Sequence, residues 1–329
     1  MSHYRLHGLF TLRSPLSHIG ESISTQTFLI EEPIIQPDGK LEPVFAYNGN
    51  AWRGALRDHA ASYLLDRLTD EAGNAARVPL DIFHLLFTGG RIGGDQAINI
   101  EQARKIRAVL PMLSMWGGGV GNQIMAGKIR VSNAYPLCLE AVPVLPERWH
   151  EDAARTEYAD VTFEKSFSRM DDTKREDMQK YLPPADVALL DGDGNSKKKT
   201  KSGNEVADQM RMTTELVAPG VRLYQEIDVL DASEVEMGAL VSAIHSWSRS
   251  PHLGGQANKG HGKCRLDYRL LDMDSGEERD FIRVTGDGPC LLAAPAQAAK
   301  DAYDQHLRRL YDQLLESKAG DIRGLIGAV

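Results

Sequence analysis

Apolar and polar positions alternate through YRLHGLFTL, residues 4–12, and this pattern predicts a first strand. The run stops at Ser14-Pro15, a pair that favours a turn. QTFLIEEPII, residues 26–35, reads as a second strand, and Pro37-Asp38-Gly39 supplies a turn after it. VFAY follows, and Asn48-Gly49-Asn50 then opens a helix over AWRGALRDHAASYLLDRL. Leu56, Ala60, Tyr63 and Leu64 fall at helical spacing on its buried side, with Asn50 as the expected N-cap. A second helical run, IEQARKIRAVLPMLSMW, is bent or ended at Pro111 and leads into Gly117–Gly121, expected as a flexible loop. GKIRVSNAYPL alternates again as a strand.

The pattern changes between about Asp160 and Arg211, where charge is dense and periodicity lapses. DGDGNSKKKTKSGNE in this stretch reads as a mobile loop. Order resumes with TELVAPGVRLYQEIDVL, two strand pieces around Pro219-Gly220. The helix SEVEMGALVSAIHSW follows, with Val235, Leu240, Ile244 and Trp247 inward. GKCRLDYRLL and DFIRVTG are strands, and AQAAKDAYDQHLRRLYDQLLE is a terminal helix. Strands and helices interleave while the turns favour hairpins, so the expected fold class is α+β: an antiparallel sheet with helices on one face, interrupted by a long insertion. A ferredoxin-like βαββαβ core accommodates this order.

Composition narrows the function classes. The 329 residues, 42% of them hydrophobic, suffice for a large core, and the net charge of −8 restricts any nucleic-acid site to a local basic groove. Three scattered cysteines, Cys138, Cys264 and Cys290, form no C-x-x-C pair. They match a reducing compartment, and no window reads as a secretion signal or membrane span, so a cytoplasmic protein is expected.

HLGGQANKGHGKC, residues 252–264, is the stretch richest in candidate chemistry. Read as a phosphate loop of the G-x-x-x-x-G-K-[ST] type, it places Ala257 where the first glycine belongs and Cys264 where a hydroxyl must meet magnesium. It also runs from helix to strand, the reverse of the order that turns a helix N-terminus toward phosphate. A dinucleotide fingerprint at Gly117 and Gly119 fails because Asn122 stands at the third glycine. Two readings of the loop remain. Its glycine N–H groups, with Lys259, Lys263 and His261 as charges or donors and Gln256 and Asn258 as sugar or base contacts, suit a sugar–phosphate backbone. The same residues also suit a glycine-rich connector with solvated lysines.

YNGNAWRGALRD carries a second set. Arg53 and Arg57, at i and i+4, share a helical face near an N-terminus that itself favours anions. Asn48 and Asn50 add hydrogen bonds, and Trp52 offers a ring for stacking. An ordinary capped helix with Trp52 in the core and solvated arginines is the competing reading. In RSPLSHIGES, a strand stops at a Pro turn and His18 and Gly20 enter a loop; a lone histidine there is more often structural than catalytic.

Taken in order, LRSPLSHIGES, NGNAWRGALRD, WGGGVGNQIMAGKIRVSNAYP and HLGGQANKGHGKC resemble the RAMP superfamily of CRISPR-associated proteins. Within it they look most like the guide-RNA backbone subunit of type IV effectors, over about residues 4 to 268. The resemblance implies an RRM-like, ferredoxin-type palm built from 1–159 and 213–329 and a thumb-like insertion over 160–212. It implies binding of a CRISPR guide RNA, head-to-tail copies along it, other effector subunits as partners and complementary target nucleic acid through the guide, with no membrane partner, no metal and no cofactor. His18, Gly20, Asn48, Asn50, Trp52, Arg53, Arg57, Trp116 and Gln123 would line the RNA groove. Gly254, Gly255, Gln256, Asn258, Lys259, Gly260 and His261 would grip the backbone, and Met210 and Met212 would be candidates for a base-separating wedge. Target-cutting relatives use an aspartate in the loop after the first motif. Between Gly20 and Asn48 this chain has one aspartate, Asp38, inside a Pro-Asp-Gly turn, so no catalytic residue is assigned and no target cleavage is expected. The alternative is a metal-independent endoribonuclease of the same superfamily, acting on guide precursors through His18 or His261.

Overall fold

The computed structural model describes residues 3–69, 78–92, 100–121, 123–168, 181, 183, 211–316 and 322. Strand β1, His3–Leu12, lies at the centre of a seven-stranded antiparallel sheet. Its alternation fixes the inward face: Leu6 aligns with Ile227 and Leu270, and Phe10 with Leu223 and Leu266, all buried. The neighbours of β1 are two later strands, Arg222–Leu230 and Cys264–Asp272, numbered β13 and β14 in chain order. Outside them, β9 (Ile129–Val131) and β10 (Tyr135–Pro136) pair with β13, while β15 (Glu278–Val284) and β16 (Leu291–Leu292) extend the β14 side.

The helical layer covers the inward face. Helix α1 is Gly49–Arg67 and α2 is Leu80–Thr88. Pro111, expected to bend or end the helical run, ends it, giving α3 (Ile100–Val109) and α4 (Pro111–Trp116) with the proline in the first turn of the second helix. One-turn helices α5 (His150–Ala153) and α6 (Tyr158–Val161) precede the long α7 (Glu234–Trp247) and α8 (Ala294–Glu316). Helix α7 packs against α1, α4 and α8. A capping box between Ser233 and Glu236 starts it, and the Glu236 carboxylate also receives Lys128 at 2.7 Å. Along the chain, β1, α1, β9, β13, α7 and β14 form a βαββαβ succession whose strands lie in the order β9-β13-β1-β14.

Smaller sheets flank this core. β2 (Ile19–Ile23), β3 (Gln26–Leu29), β11 (Thr162–Ser168) and β12 (Arg211–Val217) form a four-stranded sheet in the order β11-β12-β3-β2. β4 (Glu31–Ile35) and β5 (Leu41–Phe45) form a hairpin closed by the Pro37-Asp38-Gly39 turn. β6 (Arg91–Ile92), β7 (Gly118–Val120) and β8 (Gln123–Met125) make a third, small sheet.

Several elements differ from the sequence reading. QTFLIEEPII is two strands in two sheets, because the Ile30 amide bonds to the His18 carbonyl and the Ile30 carbonyl to Ala46. Residues 19–23, expected as loop, are strand β2. The cap of α1 is Asn48, whose side chain accepts the Asn50 N–H at 2.7 Å; Asn50 is inside the helix. The glycine run is not a loose loop: a Cβ on Gly117 would lie 2.4 Å from the Met125 carbonyl oxygen, so glycine is needed there for close backbone approach. Within 160–212, the ends are strands β11 and β12, paired residue for residue from Thr162/Val217 to Ser168/Arg211; positions 169–180, 184–210 and Met210 with them lie outside the described residues. Among the described residues no helix is long and apolar enough to cross a membrane.

Two glycines give opposite tests of this packing. An added Cβ on Gly238 of α7 would sit 2.0 Å from the Ala299 carbonyl oxygen of α8, so Gly238→Ala should destabilise the fold by about 1–3 kcal/mol in urea melts. Gly54 is exposed in α1 and its added Cβ meets nothing within 4 Å, so Gly54→Ala should stabilise by about 0.5–1 kcal/mol in the same assay.

Candidate nucleic-acid interface

The three motifs, far apart in sequence, meet at one end of the main sheet. Loop 252–263 is pinned at its base by a bridge between His252 and Lys263 and by the Leu253 N–H on the Gly262 carbonyl at 2.9 Å. The Trp247 indole N–H caps the His252 carbonyl at 3.0 Å. The segment after β1 runs beside this loop: Gly262 N–H donates to Pro15 at 2.7 Å and Gly255 N–H to Ser17 at 2.9 Å. One residue further, the His18 Nε2 accepts the Asn48 N–H at 3.2 Å, which ties the same segment to the start of α1. Tyr47 completes the contact, its hydroxyl accepting the Gly254 N–H at 3.5 Å while its ring lies 4.7 Å from the His18 ring.

The loop's glycines divide by what surrounds them. A Cβ on Gly254 would meet the Ser17 carbonyl oxygen at 2.2 Å, and one on Gly262 the Leu253 carbonyl oxygen at 1.9 Å; both let backbone pack on backbone. Gly255 and Gly260 have nothing within 4 Å of an added Cβ and face open space. Between them a single 3₁₀ turn, Ala257–Lys259, presents Asn258 and Lys259 to solvent. Gln256 is half-buried in the left-handed conformation. His261 is buried, and its Nδ1 has no hydrogen-bond partner among the described residues.

The four-stranded sheet supplies the adjoining wall. The Lys259 ammonium lies 5.2 Å from the centre of the Phe167 ring, a cation–π contact from loop to β11. Lys165 sits two residues earlier on the same face of β11 and, with Lys259, adds to the burial that lowers the His261 pKa. Met212 is half-buried in β12 directly opposite Phe167. Lys165 and Phe167 escaped the sequence reading, although the alternation of TFEKSFS would have put Phe163, Lys165 and Phe167 on one face. The dense charge of residues 160–211 masks that period.

Helix α1 sorts its residues differently from expectation. Trp52 is fully buried, edge-on to Phe10 and Trp247, with its indole N–H on the Tyr268 hydroxyl at 3.2 Å; it offers no stacking face. Trp116 is also buried, donating to the Arg53 carbonyl at 3.0 Å. Arg57 is buried and spends its guanidinium on three carbonyls, Leu86 at 2.7 Å, Leu85 at 2.6 Å and Gly117 at 2.9 Å. The first two belong to the last turn of α2, where Leu85 also accepts the Gly89 N–H at 3.2 Å, so Arg57 is a C-terminal clamp. Burial, then the neighbouring Arg53, lowers its pKa to about 10. Arg53 is half-buried, donates to the Trp116 carbonyl, and borders an open cleft of about 520 Å³ walled by Gly89, Gly117, Gly119 and Gly127. Gln123 stands in β8 beside it; its side chain lies outside the described residues. Of the expected groove residues, Gly20, Asn50, Gly254, Gly255, Asn258, Lys259 and Gly260 are exposed, and His18, Asn48, Arg53 and Gln256 half-exposed. Among the described residues no group of three His, Cys, Asp or Glu side chains is placed to hold a metal.

Two measurements check this division. Arg57→Ala removes three buried hydrogen bonds, leaving Leu85 only its Gly89 N–H, and should cost about 2–3 kcal/mol in urea melts, whereas Lys259→Ala should leave the midpoint unchanged. Burial holds the pKa values of His7, His18, His59, His245 and His261 below the usual 6.5. The unfolded chain therefore binds more protons as pH falls through 6.5, and stability is full above that pH and declines below it. Thermal melts between pH 8 and 5 should show this decline, with a shallower one in His18→Gln.

No protein-family model matches this sequence, and no curated protein matches it. Among solved structures, the chain is similar in fold to one from a "Type IV-B CRISPR Complex", with a TM-score of 0.51 and 18% identity, covering 86% of this chain and 96% of that chain.

Proposed function

We propose that this protein is a non-catalytic backbone subunit of a CRISPR effector complex, binding guide RNA and stacking head to tail along it. The observation that carries the reading is the convergence of the three motifs into one exposed, lysine-bearing surface through Ser17–Gly255, His18–Asn48 and Tyr47–Gly254 contacts. The fold likeness to a chain of a type IV-B CRISPR complex supports it. In this reading the βαββαβ core is an RRM-like palm, and β11 and β12 are the stem of a thumb. Exposed glycine N–H groups at 255 and 260, with Asn258 and Lys259, contact the sugar–phosphate backbone, while Phe167 offers a ring beside the path. Gly54 leaves α1 bare one turn from its cap, at a cost in helix stability that close approach of a strand would explain. A subunit with heterologous contacts that do not close builds a filament whose length follows the RNA.

The histidine chemistry argues against the endoribonuclease alternative. The His18 Nε2 is occupied as acceptor for a backbone amide, and His261 is buried, with burial, Lys165 and Lys259 lowering its pKa.

Purified protein should carry short RNA of uniform length in a large particle; RNA-free monomer would sink the reading. Lys259→Ala should weaken filament formation on RNA while far-UV circular dichroism stays unchanged. The slope of log affinity against log salt should become shallower by about 0.7 for each phosphate no longer neutralised. Incubation with repeat-containing RNA in EDTA, or with guide, complementary RNA and Mg²⁺, should yield no specific cuts.

A further inference from the structure

Three cations from two strand ends gather around one carboxylate beside the proposed RNA surface. Arg13 follows β1, Lys263 and Arg265 stand at the start of β14, and Asp287 lies in the turn after β15. Arg13 Nη1 hydrogen-bonds Asp287 Oδ2. Lys263 Nζ and Arg265 Nη2 approach the same carboxylate only to 3.8 and 3.9 Å, beyond hydrogen-bond length. All four side chains are between 32 and 55% exposed. The cluster thus has two positive charges in excess, with donors on Lys263 and Arg265 that Asp287 does not hydrogen-bond.

The turn that carries Asp287 is shaped to bring it there. Gly286 is left-handed, at φ 77°, and its added Cβ would lie 3.1 Å from the Cys264 carbonyl oxygen and 3.7 Å from Arg13 Nη1. The turn therefore folds down onto the start of β14 and against Arg13, and the next residue presents its carboxylate to the three cations. That position keeps Asp287 ionised: the Arg13 hydrogen bond first, then the three positive charges, hold its pKa below the usual carboxylate range. The cluster is continuous with the RNA surface, since Arg13 and Ser14 N–H groups both donate to the Lys263 carbonyl, and Gly262 bonds Pro15.

We propose that Arg13, Lys263 and Arg265 form an additional phosphodiester subsite in which Asp287 is a built-in counter-ion, displaced when a nucleic-acid phosphate enters. This rests on the RNA-binding reading above and adds a residue that limits affinity. The carboxylate and a phosphodiester each present two acceptor oxygens to the same donors. Exposed ion pairs contribute little to stability, so Asp287 leaves at small cost. The incoming phosphate releases counter-ions of its own and engages donors that Asp287 leaves unbonded. Without a carboxylate, the three cations would repel one another in the RNA-free protein; Asp287 keeps them gathered.

The test measures binding of a fluorescein-labelled single-stranded oligoribonucleotide to the full chain across a salt series. Asp287→Asn should bind about threefold or more tightly with a steeper salt slope, and Arg265→Ala more weakly with a shallower one, by about 0.7 per phosphate. Equal affinity in wild type and Asp287→Asn, with a normal melt, would overturn the subsite while leaving the RNA reading intact. Wild type that binds no RNA would overturn both. Asp287→Asn that changes the RNA-free oligomeric state at unaltered RNA affinity would assign the patch to contact between copies and overturn the phosphodiester proposal.

Discussion

Trp52 is the side chain on which the arrangement depends. It is fully buried between α1 and the sheet, 5.3 Å from the Phe10 ring and 4.9 Å from the Trp247 ring, so one indole joins α1 to β1 and α7. Its N–H meets Tyr268 on β14, Tyr268 donates to Gln225 on β13, and Gln225 reaches the Ser132 carbonyl at 3.2 Å. The chain of buried polar groups is satisfied from helix through two strands to the segment after β9, which is the condition for keeping it in an apolar core. Burying about 150–250 Å² of tryptophan surface is worth about 4–6 kcal/mol before entropy is charged against it. This anchor sets where α1 begins, and hence where Asn48 meets His18.

From that anchor the end of the sheet follows. Strands β1 and β14 are neighbours, so the segment after the first and the loop before the second must emerge side by side. Hydrogen bonds from Gly255 and Gly262 to Ser17 and Pro15 then make them one surface. The glycines here serve two purposes: at 254 and 262 they allow backbone contact, and at 255 and 260 they leave backbone open to solvent. A chain with a net charge of −8 concentrates Arg13, Lys165, Lys259, Lys263 and Arg265 in this region. Charge is therefore distributed by the fold, and the global total does not describe the surface.

Much of the core was legible in the chain itself. The period-two runs of β1, β13 and β14 and the period-3.6 faces of α1 and α7 need only local geometry, and Leu6, Phe10, Leu56, Leu240 and Ile244 are buried as their spacing requires. The break at Pro111 and the turn at Pro37-Asp38-Gly39 were legible for the same reason. Runs without a clear period were not. QTFLIEEPII has a continuous strand appearance, yet a hydrogen bond from Ile30 to His18 divides it between two sheets. The glycine run at 117–121 reads as loose because glycine permits many conformations; only close packing against Met125 and Leu85 selects the strand.

Residue types alone, read along the chain, indicate which positions could meet a phosphate, and the motifs mark three segments that the fold brings together. The tertiary structure alone decided which of those residues are available. Arg53 and Arg57 share one helical face, but the carbonyls of Leu85, Leu86 and Gly117, from segments distant in the chain, consume Arg57 and leave Arg53 at a cleft. Trp52 and His261 are withdrawn into the interior in the same way, while Asp287 is brought back to Arg13 across 274 positions of chain. Periodicity fixes which side of an element a residue faces; whether that side meets solvent, a carbonyl or a counter-charge depends on contacts that no local pattern encodes.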